Sequence, residues 1–208
     1  MRLLTALCAM LIFLAIAIPA LAIDSRCGLS TGITGGISVP YNEEAHNEFD
    51  YMFLVEADLK YYLFWGVSLS GTTGFHYSSG KPDRVHWHGE WQDYDNPGQS
   101  FWRAWPNYGT LKIELGRNYR FNPYIGAGGG VSYVYLHRKG YVFYEPISNG
   151  HGEWMPLWFA TAGFDFAFTK YVALRFDGKY RVQPSKHAFY KGLDFGGWDF
   201  LAGVNIYF

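Results

Sequence analysis

Apolar and polar residues alternate with a period of two along most of this chain, and the alternation is cleanest at its end. The even positions there read Trp198, Phe200, Ala202, Val204, Ile206 and Phe208; the odd positions read Gly197, Asp199, Leu201, Gly203, Asn205 and Tyr207. Period two means a strand, because successive side chains leave opposite faces of the backbone. One face is apolar throughout. The other carries a carboxylate, an amide and glycines, which do not make a second dry core. Such a strand suits lipid on one side and a polar lumen on the other.

The same pattern predicts seven earlier strands. Gly28–Val39 sets Leu29, Thr31, Ile33, Ile37 and Val39 on one face, and Tyr51–Lys60 sets Phe53, Val55, Ala57 and Leu59 outward with Glu56, Asp58 and Lys60 inward. After a turn at Tyr61-Tyr62, Leu63–Phe75 turns Ser68, Ser70 and Thr72 inward, and Tyr108–Leu115 opposes Leu111, Ile113 and Leu115 to Thr110, Lys112 and Glu114. Tyr124–Leu136 alternates Ile125, Ala127, Val131, Tyr133 and Tyr135 with Gly126, Gly128, Gly130 and Ser132. A phosphate-cradling reading of those glycines needs a helix after them, and the alternation continues instead. Met155–Phe168 places Trp158, Ala160, Ala162, Phe164 and Phe166 outward and Thr161 and Asp165 inward; Val172–Val182 opposes Leu174, Phe176 and Tyr180 to Arg175, Asp177, Lys179 and Arg181. The closing strand spans Leu193–Phe208. Tyr41–Asp50, His76–Trp105, His137–Glu153 and Gln183–Gly192 read as the longer loops, and the turns between them are short. Strict alternation of short turns and longer loops, with both termini at the short-turn end, is the connectivity of outer-membrane barrels.

The N-terminus changes the picture further. Arg2 precedes an apolar run from Leu3 to Ile18 and then Pro19-Ala20-Leu21-Ala22, the three parts of a cleavable secretory leader. Residues 1–22 therefore read as a signal peptide and residues 23–208 as one exported domain. Cys8 leaves with the leader and Cys27 stays alone, so no internal disulfide forms. The formal net charge is −1, and losing Arg2 makes the mature chain more negative, which gives no argument for a nucleic-acid partner. The chain is 20% aromatic with 25 glycines, and no mature segment is long and apolar enough for a membrane helix.

The closing strand resembles that of bacterial outer-membrane β-barrels, in which a terminal Phe with apolar residues at alternate positions is read by the assembly machinery. Phe208, Ile206 and Val204 carry that resemblance, with Phe200 and Trp198 before them. Over essentially the whole mature chain the pattern is similar to the small eight-stranded group that includes the OmpA transmembrane domain and the opacity-type proteins. The resemblance implies an all-β fold, an eight-stranded antiparallel transmembrane up-and-down β-barrel. It also implies a bacterial outer-membrane location, contact with outer-membrane lipid and lipopolysaccharide, a monomer, and no cofactor. The expected role is structural or surface-interacting, carried by the external loops.

Three groups of residues carry candidate chemistry. The inward face collects Glu56, Asp58, Glu114, Asp165, Asp177 and Asp199 against Lys60, Lys112, Arg175, Lys179 and Arg181. Buried charge is costly unless paired, and an eight-stranded barrel is just wide enough for side chains to fill, so this set predicts a salt-bridge network, with a narrow ion channel as the functional alternative. His86, His88 and Glu90 alternate and, if extended, share a face that a divalent metal could use. His76 and Ser78, with Glu90, supply the parts of a nucleophilic triad. Their H-x-S spacing resembles the catalytic set of the outer-membrane lipid A 3-O-deacylase family, which implies Ser78 as nucleophile, His76 as base and Glu90 as orienter in a lipid A-modifying hydrolase. In that family the set lies near the C-terminal end of the barrel; here it follows the third strand.

Overall fold

The computed structural model describes residues 28–64, 66–80, 84–87, 90–93, 98–115, 120–142, 145–185 and 194–208. Residues 1–22, read above as the leader, lie outside them. Ten strands and one helix follow in chain order: β1 (Leu29–Pro40), α1 (Glu43–Phe49), β2 (Met52–Phe64), β3 (Val67–Gly80), β4 (Arg84–Trp87), β5 (Glu90–Asp93), β6 (Gln99–Glu114), β7 (Phe121–Val142), β8 (Glu145–Ala167), β9 (Val172–Val182) and β10 (Gly197–Tyr207). Eight of them close into an antiparallel barrel in the order β1-β10-β9-β8-β7-β6-β3-β2, while β4 and β5 form a separate hairpin. The seam is the pairing of first and last strands, from Ser30↔Tyr207 to Pro40↔Gly197. Closure leaves no strand edge in the hydrocarbon, where each unpaired backbone group would cost several kcal/mol.

The predicted parity holds around the barrel. Ile33, Phe53, Val55, Leu59, Leu69, Leu111, Ile113, Ile125, Val131, Phe176 and Phe200 are exposed, and Ser30, Glu56, Lys60, Thr110, Asp165, Arg175 and Asn205 are buried. The apolar belt lies between two aromatic girdles. At the end carrying the long connections, ring centroids run Phe75–Trp105 at 5.6 Å, Trp105–Tyr133 at 5.8 Å and Tyr133–Trp154 at 5.3 Å. At the end carrying both chain termini, Phe121–Phe164 and Phe164–Phe176 each lie 5.1 Å apart. Such rings sit at the headgroup level of a bilayer.

Strand ends differ from the sequence reading. The turn expected at Tyr61-Tyr62 lies after Phe64, because Gly66 is the residue that takes the positive φ of 82° there. A Cβ on Gly66 would meet the Glu114 carbonyl oxygen at 2.3 Å. The expected loop Tyr41–Asp50 contains α1. Asn42 caps that helix by accepting from the Ala45 amide at 3.0 Å, and Asp50 ends it at φ 53°. The expected loops His76–Trp105 and His137–Glu153 are mostly strand: β3 and β6 pair up to Gly80↔Ser100, and β7 and β8 up to Val142↔Glu145. Pro146 and Pro156 fit a strand with a free edge. The Ala167 amide donates to Arg120 on the β7 side, so even-numbered β8 amides face the other side. Among the described residues β9 stops at Val182, opposite Trp158, so the missing N–H groups of Pro146 and Pro156 interrupt no ladder. At about 3.3 Å per residue and a tilt near 45°, the 22 residues of β7 rise about 50 Å, roughly twice the apolar band.

Candidate functional site

The lumen is filled in three layers. Nearest the termini, Tyr62, Ala167, Ala173 and Tyr207 pack together as an apolar floor. The Lys60 ammonium lies 4.7 Å from the centroid of the Tyr62 ring.

Above the floor stands the charged layer, and every predicted lumen residue points into it. Lys60 Nζ donates to Glu114 at 2.9 Å and contacts Asp165 at 3.4 Å. Arg175 spans the barrel, with its Nε 2.9 Å from Asp165 and an NH group 2.7 Å from Asp58. Asn205 and the Tyr207 hydroxyl also donate to Asp165, at 3.2 and 2.9 Å, while Ser68 and Asn122 donate to Glu114. Lys179 pairs with Glu56, which also accepts from the Tyr108 hydroxyl at 2.7 Å. Arg181 reaches Asp199 at 3.3 Å, Thr161 donates to Asp177, and Lys112 lies 4.4 Å from the Tyr124 ring centroid. A cavity among Glu56, Asp58, Lys112, Arg175, Asp177 and Lys179 has room for about one water.

Toward the long-connection end the lumen becomes dry. Ala45 and Phe49 of α1 pack on Met52, Trp102, Ala104, Val134, Leu136, Met155 and Phe195. Glu48 of the same helix pairs with Arg138 through two hydrogen bonds, one of 3.0 Å. One face of α1 thus covers the apolar layer while its carboxylate neutralises an inward arginine.

The described residues do not come together as the expected triad. His76 and Ser78 belong to β3, not to a loop, and are buried at 1% and 2% exposure. The Ser78 hydroxyl donates to the backbone oxygen of Tyr51 at 2.6 Å rather than to His76. An Arg181 NH group lies 3.2 Å from His76 Nδ1, which must therefore accept; Nε2 then carries the proton and donates to Glu56 at 3.3 Å. The carboxylate facing His76 is Glu56, and Glu90 sits in the separate hairpin. The metal reading loses its extended backbone. The register sets Trp87 opposite Glu90 and His86 opposite Trp91, so the chain reverses inside the motif, and His88 lies outside the described residues. No three His, Cys, Asp or Glu gather as metal ligands among the described residues.

Tyr62, Tyr108, Tyr124, Glu48 and Arg138 were missed as lumen residues. For His76, Ser78 and Arg138 the signal was available. The inward series Ser68, Ser70, Thr72 extends by twos to His76 and Ser78, and Gly130, Ser132 extends to Arg138. For Glu48 it was not, because a helix breaks the parity.

A closed barrel with an apolar belt between aromatic girdles is the β-architecture that spans membranes. Neisserial surface protein A shares the fold at a TM-score of 0.51 and 10% identity, over 86% of this chain and 96% of that one. The fold is that of a small outer-membrane β-barrel. Further similar structures are the N-terminal barrel domain of OprF from Pseudomonas aeruginosa (TM-score 0.48, 14% identity, 88% and 98% covered) and a major outer membrane protein from Thermus thermophilus (0.48, 8%, 86% and 98%). No protein-family model matches the chain, and no curated protein matches it in sequence. The short turns lie at one end of the barrel, and a tall ribbon of β6, β7 and β8 rises from the other.

Proposed function

We propose that this protein is a sealed, monomeric outer-membrane barrel whose role is structural or surface-interacting, carried by what projects beyond the outer leaflet. One observation carries the reading: the lumen is filled by paired charges and capped by α1, while β6, β7 and β8 run to 16, 22 and 23 residues, well past the roughly 9–11 that a crossing needs. The material in excess of a membrane anchor is therefore all on one side. On this reading residues 1–22 direct export and are removed, residues 23–208 form the barrel, and the assembly machinery reads Phe208, Ile206 and Val204. The partners are outer-membrane lipid, lipopolysaccharide and whatever meets the ribbon and the β4–β5 hairpin.

The test is side-specific labelling. Cysteines placed at exposed Ser79 and Ser148 react with an impermeant thiol reagent on intact cells, whereas one at Thr169 reacts only after the outer membrane is disrupted. The reverse pattern sinks the orientation. Steady openings of porin size in planar bilayers sink the sealed lumen.

A further inference from the structure

The outward wall of the barrel is nearly free of charge. Along β1, β2, β3, β9 and β10 the outward positions are apolar, aromatic, glycine, serine or threonine. Asn107 and Gln99 are the amides on β6. Among the described outward positions of all eight barrel strands the only formal charges are Arg103 on β6 and Lys139 on β7, both positive and both exposed. No carboxylate shares that face, and neither cation has an ion-pair partner among the described residues. The inward cation beside Lys139 behaves differently, since Arg138 is paired with Glu48. Two cations unmatched among the described residues, on a wall whose other described positions are neutral, are not explained by the fold.

Their height is informative. Arg103 lies two residues beyond Trp105 of the outer girdle, about 7 Å along the strand. Tyr77 and Tyr135 flank it on the neighbouring strands. Lys139 is opposite Gln99, four residues along β6 from Arg103, hence about 13 Å away along the strand. The Lys139 ammonium leans back toward the membrane, 5.3 Å from the centroid of the Phe101 ring, and the His137 ring stacks on Phe101 at 6.4 Å. His137 Nε2 is 2.9 Å from the exposed Ser148 hydroxyl, which adds a polar rim. The girdle rings mark the headgroup level, so a patch immediately above them faces the headgroups of the outer leaflet.

We infer that Arg103 and Lys139, with His137 and Ser148 beside them, form a binding site for a phosphorylated glycolipid headgroup of the outer leaflet. An arginine fork binds a phosphate through paired N–H donors and a lysine binds one as a point charge. Two cations rooted four residues apart along the strand, with the Lys139 ammonium reaching back over Phe101, suit a headgroup with phosphates at two points better than a single phosphate. The half-buried rings of Tyr77, Phe101 and Tyr135 between them offer flat surfaces to the sugar. The inference rests on the proposed placement in the outer membrane.

The experiment uses the full mature barrel folded in zwitterionic micelles, titrated with a diphosphorylated glucosamine-disaccharide lipid, with phosphatidylcholine, or with inorganic phosphate, and read by tryptophan emission. Arg103→Gln/Lys139→Gln is compared with wild type and with Arg120→Gln at the periplasmic end. The diphosphorylated lipid binds more tightly than phosphatidylcholine, the double variant weakens that binding by at least about tenfold, and Arg120→Gln leaves it unchanged. High salt weakens wild-type binding and brings it toward that of the variant. Equal binding by the double variant, equal binding of the two lipids, or displacement by millimolar inorganic phosphate overturns the site. Gel mobility before and after boiling, with outer-membrane fractionation of the same variants, reports insertion separately. A folded, correctly located barrel without the lipid preference overturns the site while the placement stands.

Discussion

Arg175→Gln tests whether the lumen is a closed, dry network. The Arg175 guanidinium is 2% exposed and bridges Asp165 on β8 to Asp58 on β2 across the barrel. Asp165 keeps Lys60, Asn205 and Tyr207 when the arginine is lost. Asp58 keeps nothing comparable, since its second carboxylate oxygen has no hydrogen-bond partner already. Removing one member of a buried pair strands the other, at a cost of about 3–5 kcal/mol. With a urea dependence of about 2 kcal/mol per molar, the unfolding midpoint falls by about 2 M. Adding Asp58→Asn removes the stranded charge and recovers at least about 1 kcal/mol, because a neutral amide is far cheaper to bury than a carboxylate. The assay is urea unfolding in lipid vesicles, followed by the shift in gel mobility between folded and boiled protein, for wild type, both single variants and the double. If Arg175→Gln lowers the midpoint no more than Arg103→Gln on the outer wall, water screens the lumen and the sealed-network reasoning is wrong.

The seam gives a second test: a Cβ at Gly36 would meet the Phe200 carbonyl oxygen at 1.9 Å, whereas one at Gly71 meets nothing within 4 Å. Gly36→Ala therefore lowers the folded outer-membrane fraction on boiled-versus-unboiled gels and Gly71→Ala does not; equal yields contradict the β1–β10 register. Phe200 faces lipid at 54% exposure, so Phe200→Arg destabilises by about 2–4 kcal/mol if it lies at the midplane, and Phe200→Leu is tolerated in the same unfolding assay. Phe49→Ala empties the apolar layer under α1, costing up to about 3–5 kcal/mol if the site cannot collapse. Brief small openings then appear in planar bilayers where wild type shows none, and an unchanged silent trace argues that α1 is not the seal.

The sequence alone determined which way side chains point. Side-chain direction in a strand has a period of two residues, so one exposed Leu or Phe fixes the face of every neighbour, and Glu56, Lys112, Asp165, Arg175 and Asp199 could be assigned inward before any coordinates. The lipid belt kept this signal clean, because hydrocarbon accepts only apolar side chains. Past the girdles that constraint ends. Outward positions there hold Arg103, His137, Ser148 and Lys139 beside glycines and prolines, so the ladders of β3, β6, β7 and β8 read as loop. The helix α1 was hidden in a polar stretch because, among its described side chains, only Ala45 and Phe49 are buried, too few to show a period. Which charge meets which was beyond parity altogether. His76, Glu56 and Arg181 come from β3, β2 and β9, and their meeting depends on the register of each strand pair and on the tilt that closes the barrel. Parity is a local property of the backbone and is written in each segment. Height and angle inside a closed barrel are set by all eight strands together, and only the assembled structure holds them.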